Sequence, residues 1–210
     1  MKDQAPTAVP LVRLRQVGRA EAAESVLPYY DLAFGDRDPV VEPGTWWGTR
    51  GTWWTVLALV PDILDHTAQG FALLYRPTRK LDPKIRELAV MRAGWAAQSQ
   101  FVFSPHCSNG RNAGVTEAQI QAIPSWSTAG CFSPVERAVL AYTDALVLDG
   151  GRVSDASFAA LQAELSDEEI LELTYAVALY QMQAIMSRAL RLELDDRDDP
   201  IVEVGERRGL

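Results

Sequence analysis

Ten consecutive residues, Leu88 to Ala97, carry a single charge, Arg92, among small and apolar side chains, and such a run reads as a buried helix. Its start is written just upstream in Leu81-Asp82-Pro83. Asp82 can accept hydrogen bonds from orphan backbone donors and Pro83 suits the first helical position, so the helix is predicted to begin near Pro83. Further helix starts appear as capping boxes at Thr116-Glu117-Ala118-Gln119, Ser133-Pro134-Val135-Glu136 and Ser166-Asp167-Glu168-Glu169. Gly114 and the pair Gly150-Gly151 supply left-handed stops. Val135, Val139, Tyr142 and Leu146 recur at helical spacing, as do Ile170, Leu173, Val177 and Tyr180. No comparable period-two run supports a sheet, and the sequence predicts an all-α fold.

At 210 residues and 48% hydrophobic, the chain can bury a sizeable core, and its length suits one domain or a domain with an N-terminal extension. The first ten or so residues and the acidic stretch Glu193 to Asp199 read as loose ends. A net charge of -8 without a dense basic run argues against nucleic acid and anionic membrane, leaving small molecules or copies of the chain as partners. Neither a signal-peptide core after Met1 nor an apolar span near membrane length is present, so the cytoplasm is the expected location.

Chemistry is sought first at Glu87 and His106. Glu87 falls in the first or second turn of the predicted helix, where the dipole favours the carboxylate and apolar surroundings favour the protonated form. Ser104-Pro105 reads as a second helix start, which would put His106 and Cys107 in a first turn and lower both pKa values. A neutral imidazole there suits general-base work, while the plainer role for His106 is a hydrogen bond to a backbone group. Arg92, in its apolar run, calls for an ion pair with Glu87 or another acid, or else reads a substrate carboxylate with its planar donor fork.

Four of the six tryptophans fall between Trp46 and Trp54, spaced by glycines that suggest loop or turn. They form either a hydrophobic patch packed on the core or another subunit, or an aromatic wall over the Glu87 and His106 cavity. Two cysteines, Cys107 and Cys131, make no disulfide framework, and His66 and His106 belong to no ligand cluster, so no bridge and no metal are expected. Phosphate loops, dinucleotide fingerprints and nucleophile-elbow motifs are missing.

The nineteen-residue interval from Glu87 to His106, the lead-in Leu59-Val60-Pro61-Asp62-Ile63-Leu64 and the segment Phe132-Ser133-Pro134-Val135-Glu136-Arg137 resemble the carboxymuconolactone decarboxylase and alkylhydroperoxidase D superfamily. The resemblance spans Pro39 to Leu194, giving residues 1–38 as the extension, 39–194 as the helical domain and 195–210 as an acidic tail. Where the peroxidase branch carries a Cys-x-x-Cys pair, this chain has Ser99 and Val102. Where decarboxylase-like members carry an acidic and aromatic stretch, it has Gln100-Phe101-Val102-Phe103.

The resemblance implies an alkylhydroperoxidase D-like fold assembled through helix faces as a trimer or hexamer, with a dimer as the alternative. It implies cofactor-independent acid–base chemistry on a cyclic or conjugated organic acid: decarboxylation, isomerisation or a related lyase step. His106 would be the acid or base and Glu87 its tuning partner, with Arg92, Trp95, Phe101, Phe103, Trp53 and Trp54 around the substrate. Two other classes stay open, a thiol peroxidase using Cys107 and a non-enzymatic binder of hydrophobic ligands.

Overall fold

The computed structural model describes residues 12–196 and 200–204, which contain nine α-helices, three 3₁₀ turns and no strand. The helices are α1 (Leu27–Phe34), α2 (Thr52–Leu57), α3 (Pro61–Leu74), α4 (Pro83–Ala96), α5 (Gln100–Asn112), α6 (Glu117–Ala122), α7 (Pro134–Val147), α8 (Asp155–Gln162) and α9 (Asp167–Leu190). The all-α expectation holds. The reading of the first ten residues as a loose end, and of 197–199 within the acidic stretch, falls outside the described residues. The chain forms two compact units, one holding described residues 12–67, 186–196 and 200, the other 68–185 and 201–204.

In the first unit, the start of the acidic stretch is not loose. Glu193–Asp196 forms a 3₁₀ turn, and the Glu193 carboxylate accepts the Gly51 and Trp53 N–H groups at 3.1 and 2.8 Å. The Glu193 N–H in turn donates to Thr52 Oγ1 at 2.8 Å. These are donors that a helix start leaves unpartnered, so a buried carboxylate from the far end of the chain completes α2. Burial pushes the Glu193 carboxyl above the usual range against the pull of those bonds. The tryptophan segment is only partly loop: Trp46 and Trp47 lie in a turn, but Trp53 and Trp54 belong to α2. Their rings form a chain, with centroids 5.0 Å apart for Trp46 and Trp47, 5.8 Å for Trp47 and Trp54, and 4.9 Å for Trp53 and Trp54.

The second unit is built around α4. Every residue from Ile85 to Gly94 is buried, and α5 and α7 pack against the helix. Asp82 caps it as anticipated, accepting from the Lys84 and Ile85 N–H groups at 2.7 and 3.2 Å, with Pro83 in the first position. The helix ends in a Schellman-type turn. Gln98 takes the left-handed conformation (φ 55°) that glycine usually supplies, and the Ser99 N–H reaches the Gly94 carbonyl at 2.8 Å. The capping boxes at Thr116 and Ser133 both close, Ser166 and Glu169 exchange the same pair of bonds, and Gly114, Gly150 and Gly151 all have positive φ. Val139, Tyr142, Ile170, Leu173 and Val177, the residues marked by helical spacing, join Leu81, Ile85 and Ala89 in one core cluster.

The start of α5 departs from expectation. It is capped by Ser99, whose side chain accepts the Val102 N–H at 3.3 Å, and Pro105 lies inside the helix. Ser104 is otherwise engaged: its Oγ accepts the Val204 N–H at 2.8 Å and bonds the Val204 carbonyl at 3.3 Å. His106 and Cys107 are therefore mid-helix, and the dipole argument for lowering their pKa values does not apply.

Candidate active site

Glu87 stands in the second turn of α4 and His106 in the middle of α5, and the close approach of the two helices brings the side chains together. Gly94 permits that approach, since a Cβ there would lie 2.7 Å from the Phe103 backbone nitrogen. Glu87 Oε2 and His106 Nδ1 are 2.6 Å apart, with the residues 1% and 5% exposed. A carboxylate only accepts, so the bond fixes the proton of a neutral imidazole on Nδ1 and leaves Nε2 as the basic atom.

The other carboxylate oxygen is held from the opposite side. Arg86 brings Nε and Nη2 to Glu87 Oε1, each at 3.1 Å, and donates Nη1 to the Leu74 carbonyl at 3.1 Å. Its guanidinium lies over the Tyr75 ring, 4.3 Å from the centroid. The Tyr75 hydroxyl is 3.4 Å from Glu87 Oε1 and 3.5 Å from the Tyr180 hydroxyl. Tyr180, on α9, meets the His106 ring edge to face with centroids 4.5 Å apart. Burial by itself raises the Glu87 carboxyl, but the hydrogen bond from His106, joined by the charge and bonds of Arg86, outweighs it and holds the group below the ordinary glutamate range. The phenols move the other way: burial raises both, helped at Tyr75 by the Glu87 charge and at Tyr180 first by Tyr75 and then by Glu87.

The remaining sequence candidates are dispersed. Arg92 forms the ion pair that its setting called for, and the acid is Asp144, held by Nε and Nη2 at 2.5 and 2.9 Å. Trp126 Nε1 donates to the same carboxylate at 2.9 Å, Arg92 Nη1 donates to the Ile123 carbonyl, and the guanidinium lies over Trp95. Arg92 and Trp95 thus belong to a separate polar cluster. Phe103 and Cys107 are core residues beside Leu88 and Met91, and Phe101 packs at the edge of the cluster that contains Tyr180. Trp53 and Trp54 lie in the first unit. Burial first, then the Glu203 charge, drives the Cys107 thiol up to about 12, opposite to the expected lowering. Among the described residues, no group of three His, Cys, Asp or Glu side chains could hold a metal ion. Nor is any helix among them long and apolar enough to cross a membrane.

Residues 61–145 match the carboxymuconolactone decarboxylase family model, a span that contains both Glu87 and His106. The likeness to that family is carried by this segment, and the helical fold around it is of the alkylhydroperoxidase D kind. Solved structures share the fold at low identity. A protein of unknown function from Agrobacterium tumefaciens, suggested to be an AhpD antioxidant defence protein, is 22% identical with a TM-score of 0.60, covering 65% of this chain and 92% of its own. The debrominase Bmp8 is 17% identical with a TM-score of 0.62, over 84% of this chain and 88% of its own. An uncharacterised peroxidase-related protein with an AhpD core from Ralstonia eutropha JMP134 is 17% identical with a TM-score of 0.61, over 85% and 93%. Comparison with curated proteins gives no match.

Within the superfamily pattern, the two positions of the peroxidase dithiol have structural duties here. Ser99 caps α5, and Val102 is buried against Leu74 and Val90. Sequence reasoning passed over Arg86, Tyr75 and Tyr180. Tyr180 had a readable signal, because a phenol on a core stripe needs a hydroxyl partner. Arg86 had another, as an arginine next to Glu87 in a helix with no solvent-facing side.

Proposed function

We propose that the chain is an enzyme of small-molecule metabolism that moves protons on a cyclic or conjugated organic acid, with His106 as general acid and base and Glu87 as its orienting partner. The observation that carries this reading is the 2.6 Å bond between Glu87 Oε2 and His106 Nδ1, made by two buried side chains. In the forward half-reaction, Nε2 takes a proton from substrate carbon or oxygen and the imidazole becomes an imidazolium. The electron pair left behind spreads into the conjugated substrate, and the cation is balanced by the adjacent carboxylate. Nε2 then returns the proton to a different substrate atom, which completes an isomerisation. In a decarboxylation, Nε2 takes the proton of the substrate's carboxylic acid, carbon dioxide leaves while the electron pair of the broken carbon–carbon bond stays on the conjugated remainder, and Nε2 returns the same proton to carbon.

Arg86 supports this division of labour. With the His106 bond, its charge keeps Glu87 ionised, so the carboxylate stabilises the imidazolium without accepting its proton. A thiolate mechanism has less support, because the Cys107 thiol is buried and pushed up to about 12. One protein of similar fold, Bmp8, is a debrominase whose Cys-to-Ala variant was crystallised with 2,3,4-tribromopyrrole, a small conjugated ring of the size intended here.

The test is a pH–rate profile of His106→Ala beside wild type on a panel of unsaturated cyclic acids, with helicity followed by circular dichroism. A folded variant is expected to lose about 10²–10⁴-fold in turnover. Near-wild-type turnover would end the assignment.

A further inference from the structure

A cavity of about 580 Å³ opens in the second unit between the end of α3, the loop that follows, and the first turns of α4 and α9. Four cationic side chains line it, Arg76, Arg79, Lys80 and Arg86, against the two acids Asp82 and Glu169. The acids are already occupied. Asp82 caps α4, and Glu169 accepts the Ser166 N–H and hydroxyl at 2.8 and 2.7 Å. Nearby, Glu168 holds the Lys80 ammonium at 2.7 Å, and Glu172 accepts the Lys80 and Leu81 N–H groups at 2.9 and 2.8 Å. Arg86 is committed to Glu87 and Leu74.

Unfilled donors remain on two arginines. The Arg76 N–H donates to the Leu73 carbonyl at 3.3 Å, but its guanidinium has no acceptor among the described residues. Arg79 gives Nη1 to Glu172 at 3.4 Å and Nη2 to Thr78 Oγ1 at 3.3 Å, while its Nε is shielded from solvent and bonded to nothing. A shielded guanidinium donor without an acceptor is costly, so it calls for a specific cause. The contrast with Arg92 supplies one. Arg92 uses the edge formed by Nε and Nη2 to grip both oxygens of Asp144 at 2.5 and 2.9 Å. The same edge of Arg79 carries one long bond and one empty donor.

We propose that this cavity is an anion site, in which Arg79 releases Thr78 and turns its Nε and Nη2 edge toward two oxygens of a carboxylate or phosphate, and Arg76 supplies the second cation. The ligand then rests beside Tyr75 and Arg86, both of which also touch Glu87. That the anion is the acid group of the substrate rests on the acid–base reading above, whereas the binding itself does not.

The experiment titrates the full-length protein with malonate and, separately, with inorganic phosphate at constant ionic strength, following the arginine Nε–H signals by NMR. The Arg79 Nε–H signal is expected to shift with one probe or both, malonate pointing to a carboxylate ligand and phosphate to a phosphorylated one. Arg79→Lys, which keeps the charge and loses the fork, should weaken that probe about tenfold, the equivalent of one charge-assisted hydrogen bond. Arg76→Ala should weaken it severalfold. Lys80→Ala should change it less than about twofold, because that ammonium is spent on Glu168. A still Arg79 signal under both probes, or binding that survives Arg79→Lys unchanged, overturns the site. His106→Ala leaves anion binding intact, so failure of the acid–base reading and failure of the site are separable.

Discussion

Arg86 and Glu87 are consecutive in sequence, yet only their placement on a helix buried from Ile85 to Gly94 turns them into one charged unit with His106. The Glu87 carboxyl is held below its ordinary range in the folded state, so its contribution to stability is present above the unfolded value of roughly 4.3 and fades as pH falls through the folded one. Glu87→Gln is therefore expected to cost about 3 kcal/mol at neutral pH, the scale for removing one member of a buried ion pair. That deficit should shrink toward zero in acid. Urea unfolding of both proteins from neutral to acid pH measures it, and a deficit independent of pH would mean that the carboxylate charge is not what matters at this position. At this scale much was legible: the interval from Glu87 to His106 singled out two residues that do meet, and the apolar run around Arg92 called for an acid that is there. What could not be read was which acid. Asp144 lies fifty-two positions away, and only the packing of α7 on α4 selects it over Glu87.

Helix starts written as an oxygen-bearing cap were readable at Asp82, Thr116, Ser133 and Ser166, where cap and first turn are consecutive, whereas the Ser154 cap of α8 was passed over. The rule misplaced α5 because two serines compete for the role, and proline's preference for the first helical position favoured Ser104. The competition is decided by the end of α4: its Schellman turn delivers Ser99 directly to the cap position, and helix α5 runs through Pro105. A tight connection of this kind makes α4 and α5 a single packing unit with Gly94 at the contact. Gly94→Ala is expected to destabilise by about 1–3 kcal/mol through overpacking against the Phe103 backbone. Because the displacement would separate Glu87 from His106, the downfield signal of the Nδ1 proton should also weaken or vanish. An unchanged unfolding midpoint together with an unchanged Nδ1 proton would show that the helices are not held by this contact.

For the whole molecule, the hydrophobic spacing of α7 and α9 announced an all-α fold, since most of those residues gather in one core, with Tyr180 in a second. The Glu193 cap on α2 was not legible. It joins residues about 140 apart, and acidic composition alone reads as solvated tail. Assembly belongs to this scale as well. We propose that the chain is a homo-oligomer, a trimer or hexamer before a dimer. Support comes from the short segment 40–47, where Val41 is 78% exposed and Trp46 74%, with Val40 and Trp47 exposed beside them in sequence. Large apolar side chains concentrated in this way are uncommon on a monomer's surface and favour burial against another copy. A net charge of -8 adds repulsion between copies that salt screens, so the association should tighten with ionic strength if apolar contact drives it. Light scattering coupled to size exclusion at micromolar concentration is expected to give a multiple of 23.2 kDa. The double variant Val41→Ser, Trp46→Ser should shift that mass downward without loss of helicity. A clean monomer for wild type at low and high salt would refute the assembly, and an unshifted oligomer in the double variant would move the interface away from this segment to the helix faces.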